Sequence, residues 1–587
     1  MIKQTLIKVK RESNFLKVLI LGFILVFLAG CGGGSSNNSN NSSGLNDAQF
    51  VDAPVAGVDY KTDSINGVTN DEGFFQYNST DAKISFYVGS LKIGEFNLSN
   101  LKSDKIILPA DLFGLDRNNT TDDKIVKVIV FLQSLDSDNN PNNGITIDDN
   151  VKDKITDLLE NNTTIKTSLS ENNYTVIKDI IKSSGKKMIL ENVARNNYKD
   201  ELIKLGYKPD FMPFTTVWEV KQDDLNITIP INPDYAVEYN YTVDWGDGSI
   251  DTEVNDSITH TYANDGNYTI KIYGNFPAIY LHCDNYRPAW EIGDLSGLYN
   301  ANKLIKILKW GDIKWKSMFS AFFGAINMTL EATDTPDLSQ VSNMREMFRL
   351  DIKFNSNINI NDWNVSNVTD MGYLFSETLF NQPLDKWDVS NVKDMSFMFY
   401  SAPNFNQDIS NWDVNNVTDM SGMFADTHFN KPLNDWNVSN VENMHGMFNY
   451  NTAFNQSLDK WDVSNVKDMG YMFFYATNFN QDISDWNTNK VTNMDHMFSN
   501  TPFNKPLNDW NVSNVENMNG MFDHNRAFNQ PLDKWDVSNV KYMGYMFSYA
   551  TNFNQDISDW NVSNVTYYDG FANNCPIDGT DKMPHFQ

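Results

Sequence analysis

The chain has 587 residues, 41% of them hydrophobic, with 75 Asp and Glu against 46 Lys and Arg and a formal net charge of -29. A surface this acidic repels phosphate backbones and excludes nucleic acid as a partner. The length suits several domains, and the three cysteines form neither a disulfide framework nor a zinc spacing.

The N-terminus carries Lys3, Lys8, Lys10, Arg11 and Lys17, then the apolar run Val18 to Leu28, then Ala29-Gly30-Cys31. A basic start, a short apolar core and small residues describe an export signal over 1–30. The run is shorter than the roughly 20 residues a membrane span needs. Leu28-Ala29-Gly30-Cys31 resembles the lipobox of bacterial lipoproteins, which implies lipidation of Cys31 as the first mature residue. Gly32, not Asp, follows it, which by that analogy implies sorting to the outer membrane. Residues 31–46, rich in Gly, Ser and Asn, read as a flexible tether.

Residues 47–112 read as a small β-sandwich module. Its strands are Gly57 to Lys61, Gly73 to Tyr77, Lys83 to Val88 and Leu91 to Phe96, separated by Gly and Asn turns. The wording V-D-A-P-V-A-G-V-D-Y resembles the N-terminal stalk domains of bacterial surface lipoproteins. Residues 113–211 read as a helical region, with helices over Ile125 to Leu135, Val151 to Glu160 and Tyr174 to Leu205. Its Asp/Asn-rich loop offers Asp136, Asp138, Asn140 and Asn142 as a candidate calcium site, because alternate oxygens can converge on a hard cation. The loop lacks the Gly and the final acidic residue of an EF-hand, and an Asn/Asp turn is the competing reading.

Residues 212–278 form a second β module, with alternation in Tyr239 to Trp245 and Tyr268 to Tyr273. Its W-G-D-G-S at Trp245 to Ser249 and H-T-Y at His260 to Tyr262 resemble a PKD-type β-sandwich, in which these residues make tight turns and anchor a strand. His260 as a catalytic base is the sharper alternative, with no nucleophile or acid visible in the sequence to serve it. Residues 279–348 read as capping and degenerate repeats.

Over 349–574 the chain repeats with a period of 24 or 25 residues, marked by Trp363, Trp387, Trp412, Trp436, Trp461, Trp486, Trp510, Trp535 and Trp560. Phe380 to Ala453 and Phe454 to Ala527 are near copies, so three units were duplicated as a 74-residue block. Such a period marks stacked units that bury their apolar side only against neighbours. In the unit from Phe405, Gln407 to Val414 reads as a strand and V-T-D-M-S-G-M-F as a helical turn. One strand and one short helical segment per unit is the leucine-rich-repeat scheme. F-N-Q-D-I-S-N-W-D-V-N-N-V-T-D-M-S-G-M-F resembles the BspA-like leucine-rich-repeat surface proteins, which implies an exported binding or adhesion protein and no catalysis. A 575–587 tail follows. Cys283 and Cys575 flank the array and are expected to be unpaired, because stacked units hold them too far apart for a disulfide.

The expected fold is therefore multidomain α+β: a β-sandwich and helical segment, a PKD-like β-sandwich, then a leucine-rich-repeat-type solenoid of about ten units. The Trp and Met-Phe columns are expected to be its core. The Asn-Val-Ser sequences at Asn364, Asn437, Asn511 and Asn561 are expected to be corner turns rather than glycan acceptors. Outward positions beside the Trp column form the candidate ligand face: Asp385, Lys386, Asp408, Ser410, Asp435, Asp459, Lys460, Asp482, Ser484, Asp485 and Asp509. The expected partner is a host, matrix or neighbouring-cell surface protein or glycan, with membrane attachment through the lipid alone. A structural, self-associating envelope component is the second expectation, and an exported hydrolase the third.

Overall fold

The computed structural model describes residues 45–141, 143–207, 209–281, 300–354 and 360–586. The export signal, most of the tether, Cys31, Asn142, Cys283 and Trp290 lie outside the described residues. Among the described residues no helix is long and apolar enough to cross a membrane.

The first part holds two principal small sheets and a two-stranded parallel pair, β2 (Val55–Ala56) with β9 (Ile145–Thr146). Strands β1 (Leu45–Phe50), β5 (Phe74–Asn78) and β8 (Ile106–Ile107) form one, in the order β5-β1-β8. Strands β3 (Asp59–Thr62), β4 (Asn66–Val68), β6 (Lys83–Val88) and β7 (Leu91–Asn97) form the other, in the order β4-β3-β6-β7. Helices α1 (Asp123–Ser134), α2 (Asp149–Asn161), α3 (Tyr174–Ser183) and α4 (Glu191–Lys204) follow. One core joins Phe50, Phe75 and Phe86 of the strands to Phe131, Ile155 and Ile180 of the helices. The expected β-sandwich thus has no core of its own, because its apolar strand faces are covered by helices.

The single helix expected from Tyr174 to Leu205 is two. Gly185 stands at φ +86 just past α3, and its neighbour Lys186 donates back to the Ile181 carbonyl, a left-handed cap that ends the helix.

In the second part β12 (Asn240–Asp244), β13 (Ile250–Val254), β10 (Phe214–Val220), β15 (Gly266–Asn275), β16 (Leu304–Lys309) and β17 (Thr329–Leu330) make one sheet, ordered β13-β12-β15-β10-β16-β17. Strands β11 (Asn226–Ile229) and β14 (Ile258–Thr261) pair separately. Because β10 pairs with both β15 and β16, this sheet runs into the residues ahead of the repeats. Its core is continuous with theirs, from Phe214 to Ile577.

The expected leucine-rich-repeat-type solenoid is corrected by the repeats themselves. The regular strands all lie in several small sheets that end at Leu330, and among the described residues after it there is no strand and no α-helix. The physical reason is backbone sign. Each unit places two residues four apart at positive φ, such as Tyr373 (φ 56) and Glu377 (φ 61), or Tyr471 (φ 57) and Tyr475 (φ 56). Neither a strand nor a right-handed helix tolerates that alternation. What remains is a pile of turns, bridged singly and in parallel along an unbroken column from Asn343 to Tyr567.

The two parts meet at a buried ionic knot. Asp312 accepts from Arg195 at 2.6 Å, from Lys199, and from the Met212 amide at 2.5 Å. Asn196 of α4 donates to Asp337 at 3.1 Å. Burial pushes the Lys199 ammonium down to about 8 in spite of Asp312.

Candidate functional site

The turn segment of each unit is a two-sided hydrogen-bonding device. From Met371 to Glu377, alternate amides point to the next unit: Met371 to Asp394, Tyr373 to Ser396, Phe375 to Met398 and Glu377 to Tyr400, at 2.7–2.9 Å. The amides between them turn inward, Leu374 to Met371 and Ser376 to Tyr373, both at 3.2 Å. With the Gly372 amide held by the Asp370 carboxylate at 2.9 Å, every amide from Met371 to Glu377 is paired without a strand, as burial demands. Met and Phe of M-x-x-M-F point into the core, where rings of successive units stack, as Phe399 on Phe424 at 5.9 Å.

The tryptophans behave as expected of core and do one thing more. From Trp387 to Trp560 each indole N–H donates to a carbonyl of the preceding unit, as Trp387 to Ile360, Trp461 to Leu433 and Trp560 to Leu532 at 2.8–3.1 Å. Asparagine does the same at the surface. Asn391, Asn416 and Asn440 donate to backbone carbonyls one unit back at 2.7–2.8 Å, and Asn406, Asn430 and Asn455 each accept an amide of the following unit or donate their own to the one before. Asn364, Asn437, Asn511 and Asn561 each accept the amide of the Ser two residues on, closing local turns.

The side chains at the positive-φ positions project to the outside of the turn segment and form a face that sequence reasoning missed. At its start, Arg345 lies over the Tyr373 ring at 5.1 Å and reaches Asp394 at 3.0 Å and Asp370 at 3.5 Å. Burial works against its charge, and Asp370 and Asp394 outweigh that. Arg349 stacks on the same ring at 4.5 Å and pairs with Glu346 at 2.7 Å. A pocket of about 600 Å³ opens beside them, lined by Arg349, Ile352, Tyr373, Glu377, Phe397 and Tyr400. Further along, His445 repeats the Arg345 arrangement: its Nδ1 meets Asp468 at 3.2 Å and its ring lies 5.5 Å from Tyr471. The Asp468 hydrogen bond raises the imidazole above its ordinary range. The signal available in the sequence is divergence within the copied blocks: Lys393-Asp394 and Lys467-Asp468 become Lys541-Tyr542.

The face expected from the sequence is an inter-unit ladder. Lys386 pairs with Asp362, Lys460 with Asp435 and Lys534 with Asp509, at 2.6–2.7 Å. Asp385 and Asp459 accept from Asn361 and Asn434 at 2.8 Å. Asp408 and Asp482 accept the amides of Ser410 and Ser484 at 3.0 Å, and Asp485 is exposed beside Trp486.

In the loop proposed for calcium, Asp136 accepts the Asn140 and Thr146 amides at 2.8 and 2.9 Å, and Asp138 accepts from Asn140 and Asn143 at 2.9 and 2.8 Å. Both carboxylates thus hold the turn. Burial, with Asp138 alongside, pushes the Asp136 carboxyl up. Among the described residues no group of three or more His, Cys, Asp or Glu is placed to hold a metal ion.

His260 meets Asp247 at 2.8 Å and Ser249 at 3.4 Å, both through Nε2, and stacks on Trp245 at 4.8 Å. A relay needs serine and carboxylate on opposite ring nitrogens. Here one nitrogen serves both, and Tyr262 donates to the Trp245 carbonyl at 2.9 Å, so the cluster fastens the W-G-D-G-S turn to β14. Cys575 is a buried free thiol, pushed up to about 11 by burial.

The repeats are similar to a family described as a Mycoplasma protein of unknown function, DUF285, which matches three times, over 316–433, 425–522 and 484–578. This is a repeat protein, and the matches span the turn stack. No curated protein and no solved structure matches the chain.

Proposed function

We propose that the chain is an exported, lipid-anchored surface protein that uses its repeat stack, without catalysis, to hold a protein or glycan of a host, matrix or neighbouring cell. The observation that carries this reading is the regularity of the stack: an identical backbone device is repeated from Asn343 to Tyr567 and presents the same outward positions at every step. Such a surface suits multivalent binding, where linked sites raise apparent affinity by roughly 10²–10⁴. The lipobox-like Leu28 to Cys31 and the Gly/Ser/Asn tether support display at the outer membrane. The BspA-like wording of the repeats and the PKD-like W-G-D-G-S turn support an adhesive role. The test is the Cys31→Ala variant followed by cell fractionation and surface labelling. Loss of membrane retention, with the folded protein released, is the expected result; unchanged processing and retention would overturn the anchoring.

A further inference from the structure

The outward face of the turn segments differs in chemistry from the rest of the repeat surface. Over 419–426, 443–450, 468–475, 493–500, 517–524, 542–549 and 567–574 it carries six aspartates and no lysine or arginine. The lysines of the repeats lie elsewhere, and Lys386, Lys460, Lys467, Lys534 and Lys541 are ion-paired between units. Aromatic rings fill the same face. In its last two units Tyr542, Tyr545, Tyr549, Tyr567 and Tyr568 are 36–46% exposed. Tyr567 stands beside Tyr545 and Asp569, and the two rings lie across Gly544 and Gly570.

The start of the same face shows what this environment accepts. There the chain's own Arg345 and Arg349 sit on Tyr373 among Asp370, Asp394, Glu346 and Glu377. Four units later, His445 fills the corresponding place between Tyr471 and Asp468. At the C-terminal end the corresponding residue is Asn519, whose side-chain oxygen accepts the Gly544 amide at 2.7 Å. There Tyr545 keeps the ring, Tyr542 and Tyr567 take the places of the carboxylates, Asp569 beside Tyr567 supplies the negative charge, and the cation is not supplied by this residue. Ring faces and carboxylates attract guanidinium and ammonium groups together. Exposed tyrosine is also the residue type that interfaces favour.

We propose that this tyrosine-aspartate turn face, centred on Tyr545, Tyr567 and Asp569, is a docking surface for the lysine and arginine side chains of a cationic protein segment. The proposal rests on the stack being the binding element and names the face and the partner's chemistry. Charge complementarity also favours it, since a chain of net charge -29 draws basic partners from a distance.

The test uses the full-length chain, captured on a sensor surface, with a decapeptide of alternating Gly and Arg as probe and a Gly-Gln decapeptide as control. The wild type is expected to bind the arginine peptide, more weakly as salt rises, and not the glutamine peptide. The double variant Tyr545→Leu/Tyr567→Leu keeps apolar bulk and is expected to bind about tenfold more weakly, the loss of roughly 1.4 kcal/mol of ring-cation attraction. Asp569→Asn, isosteric and exposed, is expected to weaken binding in the same direction. Asp462→Asn removes one charge on the tryptophan side, where other units carry Asn naturally, and is expected to leave binding unchanged. Melting temperatures of all variants are recorded alongside. Equal binding by the tyrosine and Asp569 variants, or equal binding of the two peptides, would overturn the proposal. Peptide binding that survives in a protein that does not reach the cell surface would sink the display reading and leave this face standing.

Discussion

At the residue scale the repeats are governed by what their buried polar atoms can reach. Trp461 buries its ring between units and donates its indole N–H to Leu433 at 2.9 Å. Trp461→Ala is expected to cost about 3–5 kcal/mol. Trp461→Phe is expected to cost less, because it keeps a ring and loses chiefly the bond to Leu433, net about 1 kcal/mol with the carbonyl left unpaired. Urea unfolding midpoints of the two variants separate ring burial from the hydrogen bond. Asp351 is the opposite case. It is fully buried and neither carboxyl oxygen has a well-formed hydrogen bond. Burial, against a weaker pull from the Lys353 amide, pushes its carboxyl well above the ordinary range. In the unfolded chain the group ionises near pH 3.8. Above that pH the folded chain retains a proton that the unfolded chain has released. Stability therefore falls as pH rises from about 4 toward the folded value. At the same place in later units Asn451 and Asn525 keep their amides bonded to Thr427 and Thr501. Asp351→Asn is expected to raise the melting temperature at pH 7 and to lose that advantage near pH 3. A variant no more stable than wild type at pH 7 would show that Asp351 is accommodated as the ion.

At the element scale the apolar positions were legible and the backbone was not. Phe405, Ile409, Trp412, Val414, Val417, Met420, Met423 and Phe424 are all buried, as their recurrence every 24 or 25 residues requires. The spacing of three and four in V-T-D-M-S-G-M-F, however, fits a helical turn and also the observed chain of tight turns, in which every second amide leaves for the next unit. The residues that decide between them stand at positive φ, and many are Tyr, His, Phe or Glu: Tyr373, Phe397, Tyr471, His496, Tyr545. Nothing in those side chains announces a left-handed backbone, whereas Gly422 and Gly570 in the same column would have. The strands of the first part were readable because Gly and Asn turns separate them, and Lys83–Val88 falls where expected. The break after α3 hides in Ser184-Gly185, because the apolar spacing resumes beyond it. The tryptophan-side ladder was legible as exposed polar positions, but its pairing between units was not. The tyrosine face was missed because the tyrosines, unlike the Trp and Met-Phe columns, do not recur in every unit.

At the scale of the whole molecule, the stack is built so that any three-unit block can follow any other. Phe454 to Ala527 begins and ends at equivalent places: Asn451 accepts the amides of Ala453 and Phe454, and Asn525 accepts those of Ala527 and Phe528. Deleting 454–527 joins Ala453 to Phe528 and recreates the same corner. The amides of Met444 to Tyr450, which now reach Asp468 to Phe474, would meet Tyr542 to Ser548 instead, with no change in backbone pattern. The knot of Arg195, Lys199 and Asp312, which ties the stack to the first part, is untouched. The shortened chain is therefore expected to fold and to unfold cooperatively, with a smaller denaturant dependence because less surface is exposed. It loses Asp468 and Tyr471, so His445 would face Tyr542 and Tyr545 in place of its carboxylate partner. It keeps Tyr567 and Asp569. Binding to a dense, immobilised partner is expected to weaken through lost avidity, while the affinity of a single arginine peptide at the C-terminal end holds. Circular dichroism and urea titration check the fold, and sensor measurements at high and low partner density check the binding. Undiminished binding at high density would place the contact outside the deleted block, at the retained Tyr567 and Asp569 end or in the β modules before Phe276.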